Sequence, residues 1–251
     1  LGFSHSEASS ASWAKRKQQS IISGGYSSSS VAQKTIGEAE NWAKGVLGVK
    51  EVNYKGQSLS VVNAVNKSLN SIFKQYPILN GFVDKIEFKD ISSVASASLG
   101  VRNGEIYTAL RLSPGEFANI KKINQMISQE VSQKFWSPKD GANGIIKHES
   151  AHLAEYALTL KKYGVNKTGS SLTDIRAAVS AIKSGEISTA VRTQALRACN
   201  LPDSNAIIEQ NLSKYATSNS SEFLAEALSE HKPRRLARTA IKIFNDLLGR
   251  Y

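Results

Sequence analysis

His148-Glu149-Ser150-Ala151-His152 is the stretch on which the reading of this chain turns. On an α-helix, four residues advance about 6 Å along the axis and about 40° around it, so two histidines at this spacing project side by side and can share one metal ion. Zinc accepts neutral imidazole nitrogen at about 2.0–2.1 Å, and a catalytic zinc site has three protein ligands with a fourth position left for water. Glu149 lies about 100° round the helix from His148, on the flank where that water would sit. A carboxylate there can take a proton from the water and deliver it to a leaving amine. The plain alternative is a pair of surface histidines at a chance spacing. Their surroundings argue against it. Ile145, Ile146, Leu153, Tyr156, Ala157 and Leu160 recur at helical spacing and Gly164 supplies a stop, which predicts a partly buried helix over 143–163.

Two histidines do not complete such a site. The remaining histidines are His5 and His231, the single cysteine is Cys199, and no histidine follows closely after His152, so a carboxylate is the better third donor. Downstream, Glu222, Glu226 and Glu230 fall on one face of a helix predicted from Ser221 to His231 and capped by Ser220 or Ser221. Three carboxylates on one stripe repel each other. A dication would offset that repulsion for the innermost, and a second could hydrogen-bond a ligating imidazole; the competing reading is a solvated acidic face.

Taken together, His148-Glu149-Ser150-Ala151-His152 and Glu222-Phe223-Leu224-Ala225-Glu226-Ala227 resemble the gluzincins, the HExxH zinc metallopeptidases. Within them the similarity is to the catalytic domain of anthrax lethal factor and its relatives in bacterial toxins and phage-associated proteins. The family's second motif reads Glu-Phe-Phe-Ala-Glu-Ala-Phe with a tyrosine seven residues before the ligating glutamate, and Tyr215 stands at that place here. The resemblance implies a zincin-like fold, Zn2+ held by His148, His152 and Glu222, Glu149 as general base, Tyr215 as the hydroxyl facing the oxyanion, and Glu226 behind the ligands. Leu224 and Leu228 replace aromatic residues of the motif, and the interval from His152 to Glu222 is long for the family, which points to a helical insertion at about 170–200.

The rest of the chain bounds these expectations. Its 251 residues, 41% of them hydrophobic, suffice for one large domain, and no apolar run reaches the length of a membrane span or a signal peptide. One cysteine excludes an internal disulfide. The chain opens on Leu1 with Met126 as its only methionine, so a fragment or processed product is expected. Residues 1–30, rich in serine and glycine, read as a flexible leader, leaving 31–251 as the peptidase-like domain.

Helical spacing predicts helices over 31–47, 59–75, 114–135, 172–184, 187–198, 206–215 and 234–248. Alternation over 82–88, 95–101 and 106–112, with an Asn103-Gly104 turn, predicts a small antiparallel sheet. The expected class is therefore α+β, mostly helical with a small sheet beside the motif helix. In a zincin a strand next to that helix offers its free edge to an extended substrate, and Ile106–Leu112 is the candidate.

A net charge of +11, densest over His231–Arg238, allows an acidic or nucleic-acid partner, although without interleaved aromatics that cluster reads as the solvated start of a helix. Three functions compete: a zinc endopeptidase acting on a protein or peptide; a phage- or secretion-associated interaction or structural protein with a non-catalytic zincin fold; and a nucleic-acid-binding protein with a coincidental histidine pair.

Overall fold

The structure is a computed structural model that describes residues 31–251, so the segment read as a leader lies outside the described residues. Helix α1 (Ile36–Leu47) starts at a capping box: Glu38 N donates to Thr35 Oγ1 while Glu38 Oε2 accepts from Thr35 N. It ends at Gly48, left-handed at φ 68°, where an added Cβ would lie 3.0 Å from Gly81 N. After β1 (Glu51–Asn53), α2 (Leu59–Gln75) runs from its Ser58 cap to the predicted stop before Pro77, which opens a single 3-10 turn, Pro77–Leu79.

Strands β2 (Lys85–Phe88), β3 (Ala95–Arg102) and β4 (Glu105–Leu112) complete a four-stranded sheet in the order β1-β2-β4-β3. The β3–β4 hairpin closes through Asn103 and Gly104, both at positive φ, as an Asn-Gly turn requires. Beyond that hairpin the sheet departs from the antiparallel expectation: β1 pairs with β2, and β2 with β4, in parallel. Long connections through α2 and through the 89–94 and β3 segments make those parallel pairings possible. The pleat sends Ile86, Leu110 and Leu112 into the core, while Lys85, Glu87 and Arg111 form ion pairs on the other face.

The remaining elements are helical. The stretch expected as one helix over 114–135 divides into α3 (Pro114–Phe117) and α4 (Ile120–Ser132), because Asn119 restarts the helix by accepting from Lys122 N. Then come α5 (Gly141–Lys162), α6 (Leu172–Lys183), α7 (Glu186–Ala198) and α8 (Asn205–Asn211). A 3-10 turn at Tyr215–Thr217, α9 (Ser220–Ser229) and α10 (Arg235–Arg250) complete the chain. Among the described residues no helix is long and apolar enough to cross a membrane.

Helix α5, which carries the motif, is the axis of this arrangement. It is buried on nearly every side, from Ala142 and Ile146 through Leu153, Ala154 and Leu158 to Leu160, because α2, α4, α6, α7, α9 and β3 all pack against it. So enclosed, the helix holds His148 and His152 largely buried. Gly144 allows the preceding segment to cross α5 closely, since a Cβ there would come 2.6 Å from Lys139 Cβ. The basic cluster stands at the start of α10, where Arg234 pairs with Glu230 and Lys232, Arg235 and Arg238 are exposed.

Candidate metal centre

The side chains of His148 and His152 leave α5 on one side, with ring centroids 5.1 Å apart. Helix α9 crosses that side and delivers Glu222 between them: Glu222 Oε2 lies 3.0 Å from His148 Nε2 and 3.5 Å from His152 Nε2. The expected serine cap is replaced by Asn219, whose Oδ1 accepts from Glu222 N at 2.9 Å and so fixes the backbone of Glu222 itself. Among the described residues these three side chains form the one group of His, Cys, Asp or Glu donors that converges, with all three ligand atoms within 4.8 Å of one another.

Zinc bonds of about 2.05 Å in a tetrahedron set neighbouring ligand atoms roughly 3.3 Å apart. The 3.0 and 3.5 Å separations from Glu222 bracket that value, and two imidazoles with one carboxylate are a donor set suited to zinc. The residues present therefore fit the ion. His148 is 6% and His152 9% exposed, so the donors are largely removed from competing solvent.

The three carboxylates of the α9 stripe have separate partners. Glu222 faces the histidines. Glu226, fully buried, lies 3.0 Å from His148 Nδ1, although the ring N–H is off line for a hydrogen bond. Its charge is met by Lys139 Nζ at 2.5 Å, Ser137 N at 2.6 Å and Ser213 Oγ at 2.9 Å. Glu230, at the end of α9, pairs with Arg234.

Protonation follows from these contacts. Burial disfavours a charged His148, but Glu222 and Glu226 outweigh it and raise the pKa to about 9. Burial likewise opposes ionisation of Glu222, yet hydrogen bonds from His148 and His152 hold its pKa near 2. Glu226 sits well below the usual carboxylate range, burial being outweighed by Lys139 and His148.

Glu149 projects to the flank, as helical geometry requires, and Oε2 accepts from Ala97 N at 2.7 Å. That bond corrects the choice of substrate strand. Ile106–Leu112 is interior, flanked by β2 and β3, and the free edge beside α5 belongs to β3. Ala97 N–H points away from β4, so Ala95 and Leu99, two residues either way, present their main chain on the same outer edge. Alternation along the hairpin could not distinguish its outer from its inner strand.

Tyr215 is on the 3-10 turn rather than the end of a helix, since α8 stops at Asn211. Hydrogen bonds from Lys214 N to Lys134 O and from Tyr215 N to Phe135 O anchor the turn, and the ring lies 5.8 Å from that of His148. Burial, with the nearby charges of Glu222, Glu149 and Glu226, raises its pKa to about 12, so the hydroxyl keeps its proton. A cleft of about 860 Å³ opens over these groups, walled by β3 on one side and the α6–α7 turn on the other. A smaller apolar pocket of about 160 Å³, lined by Val94, Phe135, Trp136 and Ile145, adjoins His148 and Tyr215.

Two supports escaped the reading of the sequence. Lys139 and Ser213 hold Glu226 from segments with no sequence relation to α9. His152 Nδ1 contacts Ser221 Oγ at 3.1 Å, and Ser221 in turn contacts Glu155. Only Glu155 left a signal, lying one helical turn beyond His152. No family model, curated protein or solved structure matches the chain.

Proposed function

We propose that this chain is a zinc-dependent endopeptidase of gluzincin type, built on a zincin-like α+β fold. The observation that carries the reading is the convergence of His148 Nε2 and His152 Nε2 on Glu222 Oε2 beneath an open cleft. Zinc held by these three side chains would supply Lewis-acid polarisation of a carbonyl and acidify water. The protein's own groups account for the rest. The outer edge of β3 receives an extended peptide through main-chain hydrogen bonds, which require little of its sequence. Glu149 takes the proton of the attacking water and returns it to the leaving amine. Tyr215, held protonated, donates a hydrogen bond to the oxyanion that forms. Glu226 backs His148 by its charge, with its carboxylate 3.0 Å from Nδ1.

Metal analysis of the purified chain and peptide hydrolysis test this reading together. About one zinc per chain is expected, lost in His148→Ala and Glu222→Gln, whereas Glu149→Ala keeps the zinc and loses hydrolysis. A parent chain that takes up no zinc when supplied with it sinks the metal centre. A Glu149→Ala variant that hydrolyses a peptide library as fast as the parent removes Glu149 as the base. Zinc binding with no hydrolysis across broad libraries would instead favour the non-catalytic zincin.

A further inference from the structure

Beyond the three candidate ligands, a chain of hydrogen bonds runs from His152 into the inserted helices. His152 Nδ1 lies 3.1 Å from Ser221 Oγ, which lies 2.6 Å from Glu155 Oε2, and Glu155 Oε1 accepts from Ser188 N at 3.2 Å. Glu155 is 1% exposed and Ser188 wholly buried. The direction of the chain is fixed by its far end. A carboxylate offers only acceptors, so Ser221 must donate its single proton to Glu155. Its oxygen is then left to accept from His152, and the imidazole must carry its proton on Nδ1. With zinc in place, that tautomer would leave the Nε2 lone pair for the ion, on the side where Glu222 Oε2 lies 3.5 Å away.

The far end also explains how a carboxylate can be so deeply buried here. Helix α7 begins at Gly185, in the left-handed region at φ 64° and with no side-chain cap. Glu155 reaches across from α5 and takes the amide of Ser188, one of the donors that the first turn of a helix leaves unpaired. A negative charge at that position is also favoured by the helix dipole. Thus the α6–α7 insertion, which lengthens the interval between the two motifs, supplies the group that anchors Glu155.

We propose that Ser221 and Glu155 are positioning residues for His152 as a metal ligand, and that the α6–α7 insertion is part of the metal centre because its first-turn amide at Ser188 anchors Glu155. This rests on the zinc reading of His148, His152 and Glu222. It assigns the two histidines different supports: His148 is backed by a carboxylate alone, His152 by a carboxylate acting through a hydroxyl.

Zinc affinity of the full chain, measured by competition with a chromophoric chelator, tests the assignment, alongside the thermal midpoint of the metal-free protein. Ser221→Ala and Glu155→Gln are expected to weaken zinc binding by about 10- to 100-fold, the usual effect of losing an outer-shell partner. Ser221→Thr, which keeps the hydroxyl, is expected to restore affinity to near that of the parent. Parent-like affinity in Ser221→Ala overturns the proposal. So does a loss that Ser221→Thr fails to rescue, since that would reflect packing and not the hydroxyl. Should Ser221→Ala fail to fold, Glu155→Gln and Ser221→Thr decide, and parent-like affinity in Glu155→Gln refutes the relay. A parent chain that binds no zinc refutes the metal centre itself, an outcome distinct from either.

Discussion

Zinc uptake by this chain should expel a proton, and the amount follows from His148. In the metal-free protein its imidazolium is held between Glu222 and Glu226 with a pKa of about 9, whereas a ligating histidine must be neutral. At pH 7 the ring lies about two pH units below its pKa. Removing the proton then costs roughly 2.7 kcal/mol, an affinity about 100-fold weaker than the site would show with His148 already neutral. Calorimetric titration of zinc at pH 7, repeated in buffers of different ionisation enthalpy, should therefore report close to one proton released from His148 per ion. The apparent Kd should tighten about tenfold between pH 7 and pH 8. A titration with no proton release, or a Kd that stays constant over that interval, would refute the assignment of His148 as a ligand drawn out of an ion pair.

The same group gives the metal-free fold a pH dependence of known sign. The folded-state pKa of His148 is raised, so its stabilising contribution is complete below its unfolded value near 6.5 and is lost as pH climbs through about 9. For Glu222 the shift is downward, so its contribution is present above the ordinary carboxylate pKa and lost as pH falls towards 2. Denaturant midpoints of the metal-free chain are thus expected to decline from pH 6.5 to pH 9. Saturating zinc should reverse that trend, because alkaline pH favours the ligand form of the ring.

Three further outcomes follow from named contacts. Lys139→Met leaves Glu226 buried without its ammonium partner, and urea unfolding should show a loss of about 3–5 kcal/mol, part of which is recovered in Lys139→Met/Glu226→Gln. Ala97→Pro removes the amide that binds Glu149 but none of the β3–β4 ladder, because that amide points outward; the fold and its zinc should survive while kcat/KM for peptides falls at least about tenfold. Unchanged kcat/KM would remove the β3 edge as the peptide cradle. Tyr215→Phe should retain zinc and lower kcat by about 100-fold, as loss of an oxyanion donor does, and an unaltered kcat would exclude that role.

What the sequence reveals about this site depends on whether a relation is local. His148, Glu149 and His152 lie within two turns of one helix, where the helical period converts spacing directly into direction, so their relative placement was legible. The stripe formed by Glu222, Glu226 and Glu230 was legible for the same reason, but its division of labour was not. Lys139, which meets Glu226, is brought there by a crossing that depends on the absence of a Cβ at Gly144. The hairpin shows the same boundary. Its turn and its two alternating strands could be read, yet the inner strand was mistaken for the edge, because the outcome depended on parallel pairing with β2 and, beyond it, with the three-residue strand β1.

The long interval between the motifs is the most instructive case. As sequence it reads as an interruption of the gluzincin pattern and weakens the link between His152 and Glu222. In the fold, α7 returns to α5 at Glu155 and presents the Ser188 amide to the carboxylate that also receives Ser221, the residue next to Glu222. The α6–α7 pair therefore closes over the two helices that carry the candidate ligands instead of separating them. No spacing rule connects Glu155 to Ser188, because the contact is a capping interaction made by one helix on the open end of another. Deleting 172–198 should for that reason expose Glu155 and loosen His152, so that a chain shortened to look more like its motif would bind zinc less tightly than the intact one. Equal or tighter zinc binding by a folded deletion variant would show that the insertion is an appendage after all.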